Sequence, residues 1–170
     1  MSKKSTGKGI TRVTLKIARI VNLLLAALLT GNEFGTWAAV HRALWSMPTP
    51  EHIKAEQALT RRFASIMPFW MVSVLVSCLP ALALTRRGGA PAFSFTLAGT
   101  LCFVTMLVST VRGNVPINNR TLDLSPEETP SEEWRALRGR WDRLHTLRVV
   151  LNVAGLSLLL LGALGGEDRR

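Results

Sequence analysis

GNEFGTWAAVH, residues 31–41, follows directly on IVNLLLAALLT, residues 20–30. The earlier string has the unbroken apolarity of a membrane helix, and the later one places a carboxylate, Glu33, before that helix has run its length. An ionisable side chain at mid-helix costs about 2.5–3.5 kcal/mol on insertion scales, so it faces protein or a water-filled cavity rather than lipid. Trp37 and His41 follow Glu33 at steps of four, which puts all three on one helical face. The stretch therefore predicts a helix inside a membrane bundle, with a polar face near one end.

The rest of the chain supports a bundle. Its 170 residues suit one domain. The 48% hydrophobic share is ordinary in total but uneven in distribution. No charge falls between Arg62 and Arg86, between Arg87 and Arg112, or between Arg148 and Glu167. Each window is about long enough to cross a ~30 Å hydrocarbon layer at ~1.5 Å per residue. A soluble bundle of this size would show polar faces on these helices, and these windows have none. The expected fold is all-α: an integral membrane four-helix bundle with helices at about 13–45, 63–85, 89–112 and 132–165. A short amphipathic helix from Glu51 is expected between helices 1 and 2, and a helical lead-in before helix 4. A basic tail (1–12) and a charged tail (167–170) flank the transmembrane domain (13–166).

The formal net charge of +10 invites a nucleic-acid reading. Basic residues flanking membrane helices meet anionic headgroups instead, and no basic-aromatic surface motif accompanies them, so membrane lipid is the expected partner and nucleic acid is not. Four helices put both termini on one side with the Arg86–Arg87 turn, where ten Lys and Arg gather, against eleven on the other side. The first side is shorter and denser in positive charge, which favours termini in the cytoplasm of a bacterial cell. No small-residue cleavage site follows the first apolar run, so it is read as helix 1 rather than a signal peptide. Cys78 and Cys102 lie inside apolar helices without CxxC spacing and read as structural thiols.

Local signals place the polar residues. Pro68 and Pro80 fall within helix 2, where neighbouring helices can satisfy the freed carbonyls. SPEETPSEEW gives a helix start with Ser131 as N-cap and Glu132 and Glu133 in the first turn. Beyond it, Trp134, Trp141, His145, Arg148 and Asn152 recur at steps of 7, 4, 3 and 4 and form one stripe. An interfacial belt explains Trp134, but not the continuation of the stripe into the membrane. In RGNVPINNR, residues 112–120, Asn114 and Asn118 flank Pro116 where helix 3 is expected to end. His52 and Glu56 are i, i+4, a spacing for a metal or an ion pair. All these groups, and all three histidines, fall at one end of the bundle, where inward side chains at one level can meet. There is no P-loop, GxGxxG, HExxH, CxxC or GxSxG, and no Glu-x-x-His pattern of di-iron bundles.

GNEFG on helix 1, a Met-Pro pair on helix 2, NVPINNR after helix 3 and W-x6-W-x3-H-x2-R into helix 4 together resemble the anthrone oxygenase-like family of small four-helix membrane proteins. The resemblance spans about residues 15–165, with Asn114, Pro116, Asn118, Trp141 and Arg148 on the shared motif. It implies an oxidoreductase of polyketide tailoring, a monooxygenase that oxidises the central methylene of an anthrone with dioxygen and needs no organic cofactor. His145 stands where other branches are expected to carry asparagine.

The chemistry fits these residues. Loss of a proton gives an electron-rich anthranolate that reduces dioxygen, and a buried carboxylate or histidine is a suitable base. Glu33 or His145 is the candidate base, with His41 beside them. Arg148 and Asn114 are candidates to stabilise the oxyanion. Trp37 and Trp141 are candidate walls for a small, flat, hydrophobic aromatic substrate, with Asn118 and Asn152 as further binding residues. Two other readings stand beside this one. One is a metal-dependent membrane oxidoreductase whose transition metal is held by His41, His52, Glu56 and His145. The other is a non-catalytic accessory or ligand-binding protein in which the polar residues fix helix register. A homo-oligomer is left open.

Overall fold

The computed structural model describes residues 3–86 and 90–165, with side chains from residue 13 onward. Among these residues the regular structure is entirely helical. Helix α1 runs over Lys3–Gly35, through a widened π turn at Thr36–Val40, to His41–Leu44. Helix α2 spans Thr49–Thr85. Helix α3 runs over Ala90–Ser109, a second π turn at Thr110–Asn114, and Val115–Asp123. Helix α4 spans Ser131–Leu164. All four are long and apolar enough to cross a membrane. The Arg87 to Gly89 part of the α2–α3 turn and the expected charged tail at 167–170 lie outside the described residues.

Side-chain direction agrees with a lipid surround. Phe69 and Leu79, in the charge-free stretch of α2, are 78% and 63% exposed, and Leu101, Leu24 and Val150 also face outward. The buried core holds Ala26, Leu29, Met71, Val74, Cys78, Phe103, Met106 and Leu159, drawn from all four helices. α3 and α4 approach closely because both carry glycine at the contact. A Cβ on Gly99 would stand 2.9 Å from the Gly155 carbonyl oxygen, and one on Gly162 would stand 2.6 Å from Thr96 Oγ1. Small residues that admit backbone contact are the usual basis of helix association in lipid, where no hydrophobic force drives it. At the terminal end, the Arg19 guanidinium donates to the carbonyls of Gly162 and Ala163, both at 3.3 Å, which leave the end of α4 without helical partners.

Three expectations are corrected. The amphipathic stretch from Glu51 is not a separate helix but the first turns of α2, entered from Pro48 with proline at its start. α2 is thereby ~55 Å long at 1.5 Å per residue and stands well clear of the hydrocarbon at one end. Pro116 does not end helix 3. Having no N–H of its own, it follows the π turn, in which the Val115 N–H reaches back five residues to the Thr110 carbonyl. Ser131 is not the N-cap of α4; Pro130 holds that position and the Ser131 hydroxyl meets the Thr49 hydroxyl at 2.9 Å, joining the starts of α4 and α2.

The two π turns share a local feature. Each opens with a threonine whose hydroxyl donates to the carbonyl four residues back: Thr36 to Asn32 at 2.7 Å, and Thr110 to Met106 at 2.8 Å. That bond competes with the backbone ladder, but Thr96, Thr100 and Thr121 make it inside regular α-helix, so it accompanies the turns without by itself causing them. Both turns sit at the polar end of the bundle, the end α2 extends.

Candidate functional site

Two buried polar clusters form in that half. In the deeper one, Glu33 is 1% exposed and its Oε2 accepts from Arg148 Nε at 3.1 Å and from Arg148 Nη2. His145 Nε2 lies 3.0 Å from the same oxygen, angled away from a hydrogen bond. Glu33 Oε1 has no hydrogen-bond partner. In the outer cluster, Glu56 Oε1 meets Arg138 Nη2 at 2.8 Å, His41 Nδ1 at 3.0 Å and His52 Nε2 at 3.6 Å. The Trp134 indole donates to His52 Nδ1 at 3.1 Å, which assigns the His52 proton to Nε2, on the Glu56 side. Arg138 Nη2 also stands 2.6 Å from His41 Nδ1, so that ring nitrogen is shared between a carboxylate and a guanidinium.

Trp141 joins the clusters. Its ring centroid is 4.7 Å from that of His41 and 4.7 Å from that of His145, and the two histidine rings are 5.1 Å apart. The Arg138 guanidinium lies 3.8 Å from the indole centroid, within cation–π range. The Trp141 N–H donates to Asn118 Oδ1 at 2.6 Å, leaving the Asn118 amide nitrogen as a donor.

Beside these residues lies a cavity of about 310 Å³. That is near the lower end of small-molecule sites, roughly 300–1,000 Å³. Glu33, His41, Glu56, Asn118, Trp141, His145 and Arg148 form its polar side. Phe63, Met67, Met71, Leu107 and Val111 form its apolar side.

The expected residues thus divide. Glu33, His41, His145, Arg148, Trp141 and Asn118 meet at one cavity. Trp37 does not: it is half-buried, packs beside Phe34 and under Arg42, and donates to Thr146 Oγ1 at 3.0 Å. The π turn is the reason. In an unbroken α-helix the eighth residue on lies about 80° away, whereas one extra residue in a turn leaves it only about 20° off. His41 therefore returns to the Glu33 face and Trp37 is set aside. Asn114 and Asn152 are fully buried but stand behind the wall, where Asn114 Nδ2 donates to the Trp141 carbonyl at 3.4 Å and Asn152 Nδ2 to the Arg148 carbonyl at 2.9 Å. They position α4 rather than line the cavity.

The metal candidates also separate. His145 pairs with Glu33, not with His52, and the cation between His41 and Glu56 is the Arg138 guanidinium. Among the described residues no group of three or more His, Cys, Asp or Glu side chains is arranged to hold a metal ion.

Arg138, 1% exposed, is the residue sequence reasoning missed. It fills the seven-residue gap between Trp134 and Trp141, so the stripe is 134, 138, 141, 145, 148, 152, with alternating steps of four and three. Its neighbours Arg135, Arg140 and Arg143 are equally basic and hid it; the unbroken alternation was the available signal.

A profile of the anthrone oxygenase family matches residues 57–158, which covers most of α2, all of α3 and most of α4. The chain belongs to the anthrone oxygenase family. The matched stretch carries Asn118, Arg138, Trp141, His145 and Arg148, while Glu33, His41, His52 and Glu56 lie before it. No curated protein and no solved structure matches the chain.

Proposed function

We propose that this chain is a membrane-embedded oxygenase that removes a proton from an acidic methylene of a flat aromatic or quinone-like molecule and oxidises the resulting carbanion with dioxygen. The observation that carries this reading is the Glu33 carboxylate beside a mainly apolar cavity, clamped on one oxygen by Arg148 and free of any hydrogen-bond partner on the other. A base held rigidly in this way, in low dielectric, is suited to carbon acids. Family membership favours the same chemistry.

In this scheme Glu33 or His145 takes the proton. Arg148, with the free amide nitrogen of Asn118, stabilises the oxyanion of the anthranolate, and Trp141 gives the flat face on which the rings lie. The methylene loses two hydrogens and gains one oxygen atom; the second oxygen atom leaves with those hydrogens as water. The substrate supplies all four electrons that dioxygen accepts, so the scheme calls for neither an organic cofactor nor an outside reductant. His145 and His41 stand between Glu33 and Glu56 and offer the proton a way out of the cavity.

The test is dioxygen uptake by the protein in nanodiscs with 9(10H)-anthrone under oxygen-18 gas. Uptake of one dioxygen per anthrone, with one labelled atom in the quinone, is expected above the protein-free rate and is lost in Glu33→Gln. Uptake no faster than the protein-free rate with anthrone and its hydroxylated analogues would overturn the reading.

A further inference from the structure

The four helices form a ring whose seams are not equally closed. α3 and α4 meet through backbone at Gly99, Gly155 and Gly162. α4 and α1 are joined by Arg148 to Glu33 and by Arg19 to the end of α4. α1 and α2 are joined by Asn22 to Ser77 and Cys78, at 2.9 Å and 3.2 Å, and by His41 to Glu56. Between α2 and α3, among the described residues, the side-chain ties lie toward the two ends: Gln57 Nε2 donates to the carbonyls of Thr121 and Leu124, both at 3.0 Å, at the outer end, and Cys78 meets Thr100 and Arg86 lies 5.7 Å from the Phe93 ring centroid toward the other, with none across the stretch between.

Below the Gln57 tie, the cavity wall on the α2–α3 side reaches the outer surface. Ala64 and Pro68 of α2 and Val111 and Val115 of α3 line the cavity and are also exposed, the two valines at 55% and 38%. Ala64, Pro68 and Val111 belong to the charge-free windows, so this part of the wall stands at hydrocarbon depth. Asn118 and Asn119 continue it outward past Arg112, at headgroup level. Helix irregularities flank the gap on both sides. Pro68 gives no N–H to the Ala64 carbonyl, and the π turn Thr110–Asn114 widens α3 at the same place.

We infer that the cavity is filled sideways from the bilayer, through the opening between Ala64 and Pro68 of α2 and Val111 and Val115 of α3, by uncharged lipid-soluble molecules. Water and charged metabolites meet the Gln57 tie and the buried ion pairs instead. That the admitted molecule is then oxidised rests on the function proposed above; the opening itself does not. A ligand using it keeps its polar edge toward Glu33, His145 and Asn118. Any apolar arm too large for the cavity stays in the lipid.

The opening can be tested without turnover. The protein is placed in phosphatidylcholine nanodiscs doped with a phospholipid carrying a mid-chain diazirine, irradiated, and its labelled residues are mapped. Label is expected on the cavity residues Phe63, Met67 and Leu107 as well as on the outward Phe69. Ala64→Trp with Val111→Trp, and Val111→Trp alone, fill space at exposed positions. They should reduce the inner labels at least fivefold and leave Phe69 labelled, which also shows that the helices still span. Absence of inner label in the unmodified protein overturns the inference, as does inner label unchanged in both variants. Anthrone oxidation measured in the same nanodiscs separates the two readings, since labelling can succeed where oxidation fails.

Discussion

Arg148 places two of its donors on a single oxygen of Glu33, by Nε at 3.1 Å and by Nη2, and the other oxygen has no hydrogen-bond partner. A bidentate fork would have satisfied both oxygens and made the pair a closed structural unit. The one-sided grip fixes the carboxylate and keeps half of its accepting capacity uncommitted.

Glu33→Gln should therefore lose chemistry beyond what it loses in stability. The amide oxygen still accepts from Arg148 but leaves the guanidinium charge uncompensated, a cost of up to about 3–5 kcal/mol, while proton abstraction in the protein that remains folded falls by roughly 100-fold or more, the usual contribution of a positioned base. Arg148→Met leaves a buried carboxylate uncompensated and should cost about 3–5 kcal/mol. Dioxygen uptake and thermal unfolding in the same detergent read the two effects. Full turnover in Glu33→Gln would remove Glu33 from the base role.

The outer cluster should behave as one unit. Glu56→Gln and Arg138→Met each break a buried pair and are expected to lower stability by about 3–5 kcal/mol. The double variant should cost less than the sum, with a coupling of about 1–3 kcal/mol, because the second change removes the charge stranded by the first. Simple additivity in a denaturation cycle would mean that the pair is already screened.

Glycine positions make opposite predictions. Gly155→Ala puts a Cβ 2.9 Å from Phe103 Cε2, and Gly162→Ala puts one 2.6 Å from Thr96 Oγ1. Each should cost about 1–3 kcal/mol by overpacking the α3–α4 contact. Gly35→Ala and Gly139→Ala meet no atom within 4 Å. They should be neutral or stabilising by up to about 1 kcal/mol, from helix propensity. Thermal unfolding of the four variants in one detergent tests the contrast.

The two tryptophans separate in the same way. Trp37→Phe loses a bond to Thr146 outside the cavity, and turnover should stay within about twofold, because a surface substitution rarely moves stability by more than ~0.5 kcal/mol. Trp141→Leu removes the face that touches His41, His145 and the cavity. Its KM for an aromatic substrate should rise about tenfold, in line with ~1–1.5 kcal/mol for an aromatic pair. Equal effects in steady-state kinetics would mean that Trp37 reaches the substrate.

Helix number, membrane class and polar end were legible because long charge-free windows and 3.6-residue stripes survive in the sequence. Glu33, Trp141, His145, Arg148 and Asn118 meet at one cavity, and His41 joins them because the π turn returns it to the Glu33 face. What spacing could not show is where the helix stops being regular. Trp37 was assigned to the Glu33 face because a straight α-helix puts it there, and a π turn leaves little mark beyond a threonine. Pro116 read as an end of helix 3 because proline usually is one; here a loosened turn absorbs it. Arg138 was masked by neighbouring arginines whose charges face outward, since composition cannot tell a buried guanidinium from a solvated one. Asn114 and Asn152 carry the right groups, but whether an amide points into a cavity or behind its wall is a matter of a single rotation.

The paired π turns make the site depend on counting as much as on chemistry. Thr36–Val40 and Thr110–Asn114 each add one residue to a helix that would otherwise run straight. Each turn absorbs its extra residue, so removing one residue within it lets the turn close to a regular α-helix and leaves the two halves within about 20° of their present facing. Adding a further residue would instead rotate one half against the other by about 100°. In the first turn such an insertion would carry His41 away from Glu33; in the second, Asn118 away from Trp141. For this chain a one-residue insertion at either turn is a harsher change than a one-residue deletion there, and sequence comparisons that open a single gap at a turn still compare the same faces of the helix.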